Sequence, residues 1–139
     1  MVRLIINKER LAKEGSTLAL EPAENRYLFQ VHRLQPGDQL ELRDGIGGSY
    51  AAKILPSNEL QYDARVELDE LVGAGIHLAF APPKGSRVDL VLEKATELGA
   101  VAMHPVYTER TVRKLTPLKP RWQRLIESAG RQCDAAYLP

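Results

Sequence analysis

The stretch that decides the fold is Ile76–Tyr107, IHLAFAPPKGSRVDLVLEKATELGAVAMHPVY. Ile76, Leu78 and Phe80 lie in a short, mostly apolar run that stops at Pro82-Pro83-Lys84-Gly85. Val88, Val91, Leu92, Ala95 and Leu98 then recur at the spacing of one helical stripe, with Ser86 placed to cap the helix and Gly99 to end it. AVAMHPVY reads as a second buried strand, and Trp122, Leu125, Ile126, Ala129 and Cys133 form a second apolar stripe that begins beside Pro120. Strand, helix, strand, helix is the opening of a parallel α/β domain.

Upstream the period changes from helical to alternating. Leu40 and Leu42, then Tyr50, Ala52 and Ile54, then Leu60, Tyr62, Ala64, Val66 and Leu68 alternate with polar neighbours. Pro36-Gly37-Asp38, Asp44-Gly45-Ile46-Gly47-Gly48 and Pro56-Ser57-Asn58 separate these runs as turns. A helix interrupts them, with Pro22 in its first turn, Tyr27, Leu28 and Val31 on one face, and Pro36-Gly37 as its stop. Short antiparallel strands with one inserted helix predict a small closed β-barrel over residues 1–72. The α/β portion is expected over 75–139, and Gly73-Ala74-Gly75 is the natural hinge. Two parallel strands with two helices leave a sheet face uncovered, so the second domain is expected to be incomplete in this chain.

The 139 residues are 44% hydrophobic and 27% charged, an ordinary globular balance rather than that of a disordered chain. No apolar run reaches the roughly 20 residues of a membrane span. MVRLIINKER has neither the apolar core nor the flanks of a secretory signal. One cysteine forms no internal disulfide and agrees with a cytoplasmic setting. Three histidines and that cysteine show no metal-ligand spacing, so no metal site is expected. The net charge of +1 conceals a division: residues 1–73 carry 9 Lys/Arg against 12 Asp/Glu, and residues 74–139 carry 10 against 6. Between 110 and 131 there are seven basic residues against Glu127 alone, an excess that a polyanion would sense. A solvated helix face beside a basic loop gives the same count.

With these segments in place, the sequence resembles the RsmE family of 16S rRNA uracil-N3 methyltransferases. The stretches that carry the resemblance are VHRLQPGDQLELRDG, PPKGSRVDLVLEKATELGAVAMHPVYTERTV and RWQRLIESAGRQCDAAYLP. It implies an α+β chain: an N-terminal PUA-like β-barrel that helps hold RNA, then the first βαβα part of a SPOUT domain. In that family the domain carries a trefoil knot, binds S-adenosylmethionine and forms a homodimer. The family's donor-binding signatures, a GPEGG loop and a later LG-x-x-x-LR-x-ET segment, are not in these 139 residues. The chain is therefore expected to be truncated within its second domain and to hold no donor alone. Two departures stand out, His32 in VHR where the family has an aliphatic residue and Asp134-Ala135 where it has Gly-Arg.

The resemblance and the charge pattern together nominate five RNA-contacting residues: Arg33, Lys84, Arg110, Arg113 and Lys114. Arg33 matches the family's arginine in VLR, where it would meet a phosphate or merely complement a helix C-terminus. Lys84 and Gly85 precede a helix whose first N–H groups can meet an anion, or they form a plain turn with an exposed lysine. Arg110 follows the second strand, at the sheet end where ligands of open α/β sheets gather, and Arg113 and Lys114 extend the patch. Trp122 and Cys133 read as packing residues, His77 and His104 as structural ones, and Glu97 as a helix-end acid beside a base. No residue pattern names a catalytic group. The competing reading is a stand-alone RNA-binding or ribosome-assembly module without chemistry; a third is a subunit whose bare sheet edge pairs with another chain.

Overall fold

The computed structural model of the chain describes residues 1–11, 16–67, 75–111 and 120–139. It divides into two compact units, Met1–Asp69 and Glu70–Pro139. Leu68, the Gly73-Ala74 part of the hinge, Arg113 and Lys114 lie outside the described residues.

The first unit is a mixed sheet with one helical segment. Its strands are β1 (Arg3–Ile5), β2 (Thr17–Leu18), β3 (Gln39–Arg43), β4 (Gly48–Ile54), β5 (Leu60–Tyr62) and β6 (Val66–Glu67). They are ordered β1-β3-β4-β5-β2, with β6 also on β4. β1 runs parallel to β3, and every other pair is antiparallel. Cross-strand partners Leu40–Ala52 and Leu42–Tyr50 fix the register between β3 and β4. That register sends Leu40, Leu42, Tyr50, Ala52 and Ile54 to one side, where they meet Leu4, Ile6, Leu18, Leu60 and Tyr62 in a single core. Tyr50 and Tyr62 pack edge to face, their ring centroids 5.9 Å apart.

The small β-barrel expected from the alternation, PUA-like by the family resemblance, does not form. The sheet path begins at β1 and ends at β2, and these two strands are not paired with each other. In place of a closing strand comes α1 (Pro22–Asn25), which continues as wider π-type turns over Arg26–Val31. It contributes fully buried Leu28 to the core that also holds Leu4 of β1 and Leu18 of β2. A helical side chain thus fills the space that barrel closure would otherwise seal, and the fold is α+β with an open sheet. Alternation also stops early. Ala64 lies outside any strand, and Val66 on β6 is exposed, so the inward face ends at Tyr62.

A second difference lies on the opposite face of β3. Glu41 and Arg43, on either side of Leu42, are also buried. Glu41 accepts from Arg3 Nε at 2.9 Å, Arg43 Nε at 3.0 Å and Ser49 Oγ at 2.8 Å. Burial alone would push the Glu41 carboxyl up, but the hydrogen bonds from Ser49, Arg43 and Arg3 outweigh it and hold the group below its ordinary value.

The second unit runs β7 (His77–Phe80), α2 (Arg87–Glu97), β8 (Ala102–Pro105) and α3 (Pro120–Gln132). β7 and β8 pair in parallel, Leu78 opposite Met103 and Phe80 opposite Pro105. Val88 and Leu92 of α2 pack with Trp122 and Ile126 of α3, and Phe80 and Met103 pack against that cluster from the strands. The apolar stripe of α2 is narrower than its spacing implies, because Leu98 sits past the last turn and is 82% exposed. Gly99, at φ +78°, ends the helix in the left-handed conformation. Cys133, expected on the buried stripe of α3, is exposed. The helix has already ended at Gln132, so its periodicity no longer applies.

Candidate nucleic-acid interface

Parallel pairing makes both strands of the second unit end on the same side. Val106 N–H donates to the Phe80 carbonyl at 2.9 Å and ties the two strand exits together. From that edge the chain leaves β7 through Pro82-Pro83-Lys84-Gly85-Ser86 and leaves β8 through Thr108–Thr111. The segments border a cleft of about 970 Å³ whose walls include Lys84, Ser86, Arg87, Arg110, Arg121 and Trp122.

Each wall has a local cause. Gly85 takes φ +67°, which turns the loop into α2 without a side-chain penalty. Ser86 occupies the N-cap position but makes no side-chain capping bond, contrary to the expectation from sequence, since its own backbone is already helical at φ −74°, ψ −8°. The first N–H groups of α2 therefore lack the Ser86 hydroxyl as acceptor, while Asp89 N–H donates to the Ser86 carbonyl at 3.1 Å. The turn carrying Arg110 is closed twice: Thr111 N–H donates to the Thr108 carbonyl at 3.0 Å, and Thr108 N–H to Thr111 Oγ1 at 2.7 Å. Arg121, at the start of α3, is ion-paired with Asp89, the only acid among the described residues lining the cleft. Lys84, Arg87 and Arg110 are exposed on its rim.

The fold thus brings Lys84 and Arg110 to one cleft, and it adds Arg87 and Arg121, which sequence reasoning did not single out. Their signal was present: Arg87 opens the helix next to Lys84, and Arg121 belongs to the basic run. Trp122 is buried in the core with Ile126 and also borders the cleft. Arg33 belongs to the first unit. There it is exposed directly after the π-type turns, at φ +56°, a left-handed conformation unusual for a branched cation. Beside it His32 packs edge to face on Tyr27, ring centroids 4.5 Å apart. Glu97 is held by Lys94, whose Nζ donates at 2.8 Å. Arg113 and Lys114 are outside the described residues.

The cleft's chemistry is that of an anion site. Its rim is cationic, its helix end presents N–H donors, and its one carboxylate is committed to Arg121. Among the described residues lining the cleft, the one carboxylate is already ion-paired, so none is left to meet the positive charge of a sulfonium donor.

Comparison with known proteins agrees with the layout. A family model for the RNA methyltransferase PUA domain matches residues 20–67, and one for the RNA methyltransferase domain matches residues 73–139. Both describe RNA methyltransferases. The ribosomal RNA small subunit methyltransferase E of Synechocystis is 36% identical over 99% of this chain, which spans 46% of that relative's length. Among solved structures, a ribosomal RNA small subunit methyltransferase E from Neisseria gonorrhoeae bound to S-adenosyl methionine superimposes with a TM-score of 0.80 at 27% identity, covering 100% of this chain and 59% of that one. A Legionella pneumophila protein solved with the cofactor SAM gives 0.81 at 28% identity, covering 99% and 60%. The chain belongs to the RsmE-type family of small-subunit ribosomal RNA methyltransferases. Among the described residues, no helix is long and apolar enough to cross a membrane.

Proposed function

We propose that this chain supplies the RNA-holding surface and part of the scaffold of an S-adenosylmethionine-dependent methyltransferase that acts on uridine N3 of 16S rRNA. The observation that carries the proposal is the gathering of Lys84, Arg87, Arg110 and the uncapped first turn of α2 around one cleft at the strand exits. Guanidinium groups pair bidentately with phosphate oxygens, and a helix N-terminus adds N–H donors to the same charge. The role assigned to the cleft is to fix an RNA backbone, with Arg33, Arg113 and Lys114 as further contacts.

Methyl transfer to N3 requires that nitrogen's proton to be removed and the acceptor to be held in line with the donor. The cleft contributes to holding and not to donor chemistry. Fluorescence anisotropy with a short uridine-containing RNA tests this. Binding is expected to weaken steeply between low and physiological salt, and calorimetry of the 139-residue chain with S-adenosylmethionine is expected to show no binding. Salt-independent RNA binding, or micromolar donor binding, refutes the reading.

A further inference from the structure

The two histidines of the second unit, expected to be structural, instead meet on its surface. His77 on β7 and His104 on β8 are exposed, and their Nδ1 and Nε2 atoms lie 3.0 Å apart. Their ring planes agree within 6° and the ring centroids are 5.3 Å apart. The parallel register sets this up: Ala79 is opposite His104 and His77 opposite Ala102, so the imidazoles stand diagonally on one face of the two-stranded sheet. Leu78, Phe80, Met103 and Pro105 alternate to the other, half-buried face. The pair plays no part in the cationic cleft.

From this geometry we infer that His77 and His104 form a surface chelate for a divalent transition-metal ion of tetragonal preference, Cu(II) or Ni(II). At metal–nitrogen distances of about 2.0–2.1 Å, two nitrogens 3.0 Å apart subtend roughly a right angle at the metal. That is the cis angle of a square-planar or tetragonal site rather than the wider tetrahedral angle that zinc prefers. Imidazole suits both metals, and the order of divalent affinities places copper above nickel. Among the described residues no cluster of three or more His, Cys, Asp or Glu could hold a metal, so the chelate offers two protein ligands there. Binding requires the exposed rings to swing their lone pairs toward a common point. The imidazole that donates in the His–His hydrogen bond moves its proton to its outer nitrogen, and no net proton is released from a neutral pair.

The test is calorimetric titration of the 139-residue protein with NiCl2 and with CuCl2, alongside the His77→Ala, His104→Ala and His32→Ala variants. Circular dichroism checks that each variant is folded, and His77→Gln and His104→Gln repeat the measurement with side chains of closer size. One equivalent of metal is expected to bind the wild type. Affinity should fall at least about tenfold in every His77 and His104 variant. His32→Ala, which removes the third histidine, should match the wild type, and the Cu(II) resonance spectrum should report two nitrogen ligands. Saturable binding that survives loss of either paired histidine overturns the inference, as does the absence of binding to the wild type.

Discussion

Arg65 Nε donates to Asp44 Oδ2 at 2.9 Å directly over the backbone of Gly48. The other oxygen of Asp44 accepts the N–H groups of Ile46 and Gly48 at 2.9 and 2.8 Å, so one carboxylate closes the turn between β3 and β4 and anchors the chain entering β6. A Cβ on Gly48 would lie 2.2 Å from Arg65 Nε and 2.3 Å from Asp44 Oδ2.

Gly48→Ala is therefore expected to expel the arginine from the turn and destabilise the first unit by about 1–3 kcal/mol, read as a lower melting temperature. Gly99→Ala provides the contrast. Nothing lies within 4 Å of a Cβ there, yet φ is +78°, so the cost is conformational, about 1 kcal/mol. Adding Arg65→Ala to Gly48→Ala is not expected to recover the loss, since Asp44 Oδ2 still lies 2.3 Å from the new Cβ and its buried carboxylate has lost its cation.

Glu41 makes the first unit acid-sensitive. Its folded-state pKa is held below the ordinary value of 4.5, so its contribution is present above that value and is lost as pH falls through the folded-state pKa. Glu41→Gln is expected to flatten this acid limb of the stability curve and to cost roughly 1–3 kcal/mol at neutral pH, because Arg3, Arg43 and Ser49 lose a charged acceptor. Urea titrations from pH 3 to 7 measure both effects.

Leu28 stands in for barrel closure. Leu28→Ala is expected to cost about 2–5 kcal/mol, as other large-to-small core changes do. Val31→Ala, three residues on but 63% exposed, should leave stability nearly unchanged. Equal effects in chemical denaturation would sink the assignment of Leu28 as the plug.

Lys84→Ala and Arg110→Ala are each expected to weaken RNA binding and to reduce the magnitude of the salt slope by about 0.7, the share of one contact to single-stranded RNA. Lys53→Ala, a cation on the exposed side of β4 in the other unit, is the control and should leave the slope unchanged. Anisotropy titrations over a range of salt separate the cases.

Much of the local structure was legible because it depends on neighbours along the chain. The alternation of Tyr50, Ala52 and Ile54 records which side of β4 faces the core, and the spacing of Val88, Leu92 and Ala95 does the same for α2. Lys84 and Arg110 could be nominated because strand exits and basic composition are both written in sequence. Arg87 and Arg121 were missed because their relation to the cleft depends on how α2 and α3 pack, and the unused cap at Ser86 depends on a backbone angle.

By itself, the sequence determined the main strands β3, β4, β5, β7 and β8, the helices α2 and α3, and which end of the second unit gathers positive charge, since periodicity, turn residues and composition act over a few residues. Only tertiary structure decided that the first sheet stays open around Leu28, that Glu41 and Arg43 are buried as a hydrogen-bonded pair, and that His77 and His104 touch. The packing of Leu28 and the histidine contact join groups distant along the chain, and the Glu41–Arg43 pair, though two residues apart, is buried only once β1 and β4 flank β3; the energy of each arises from desolvation and geometry that exist only after the strands have paired.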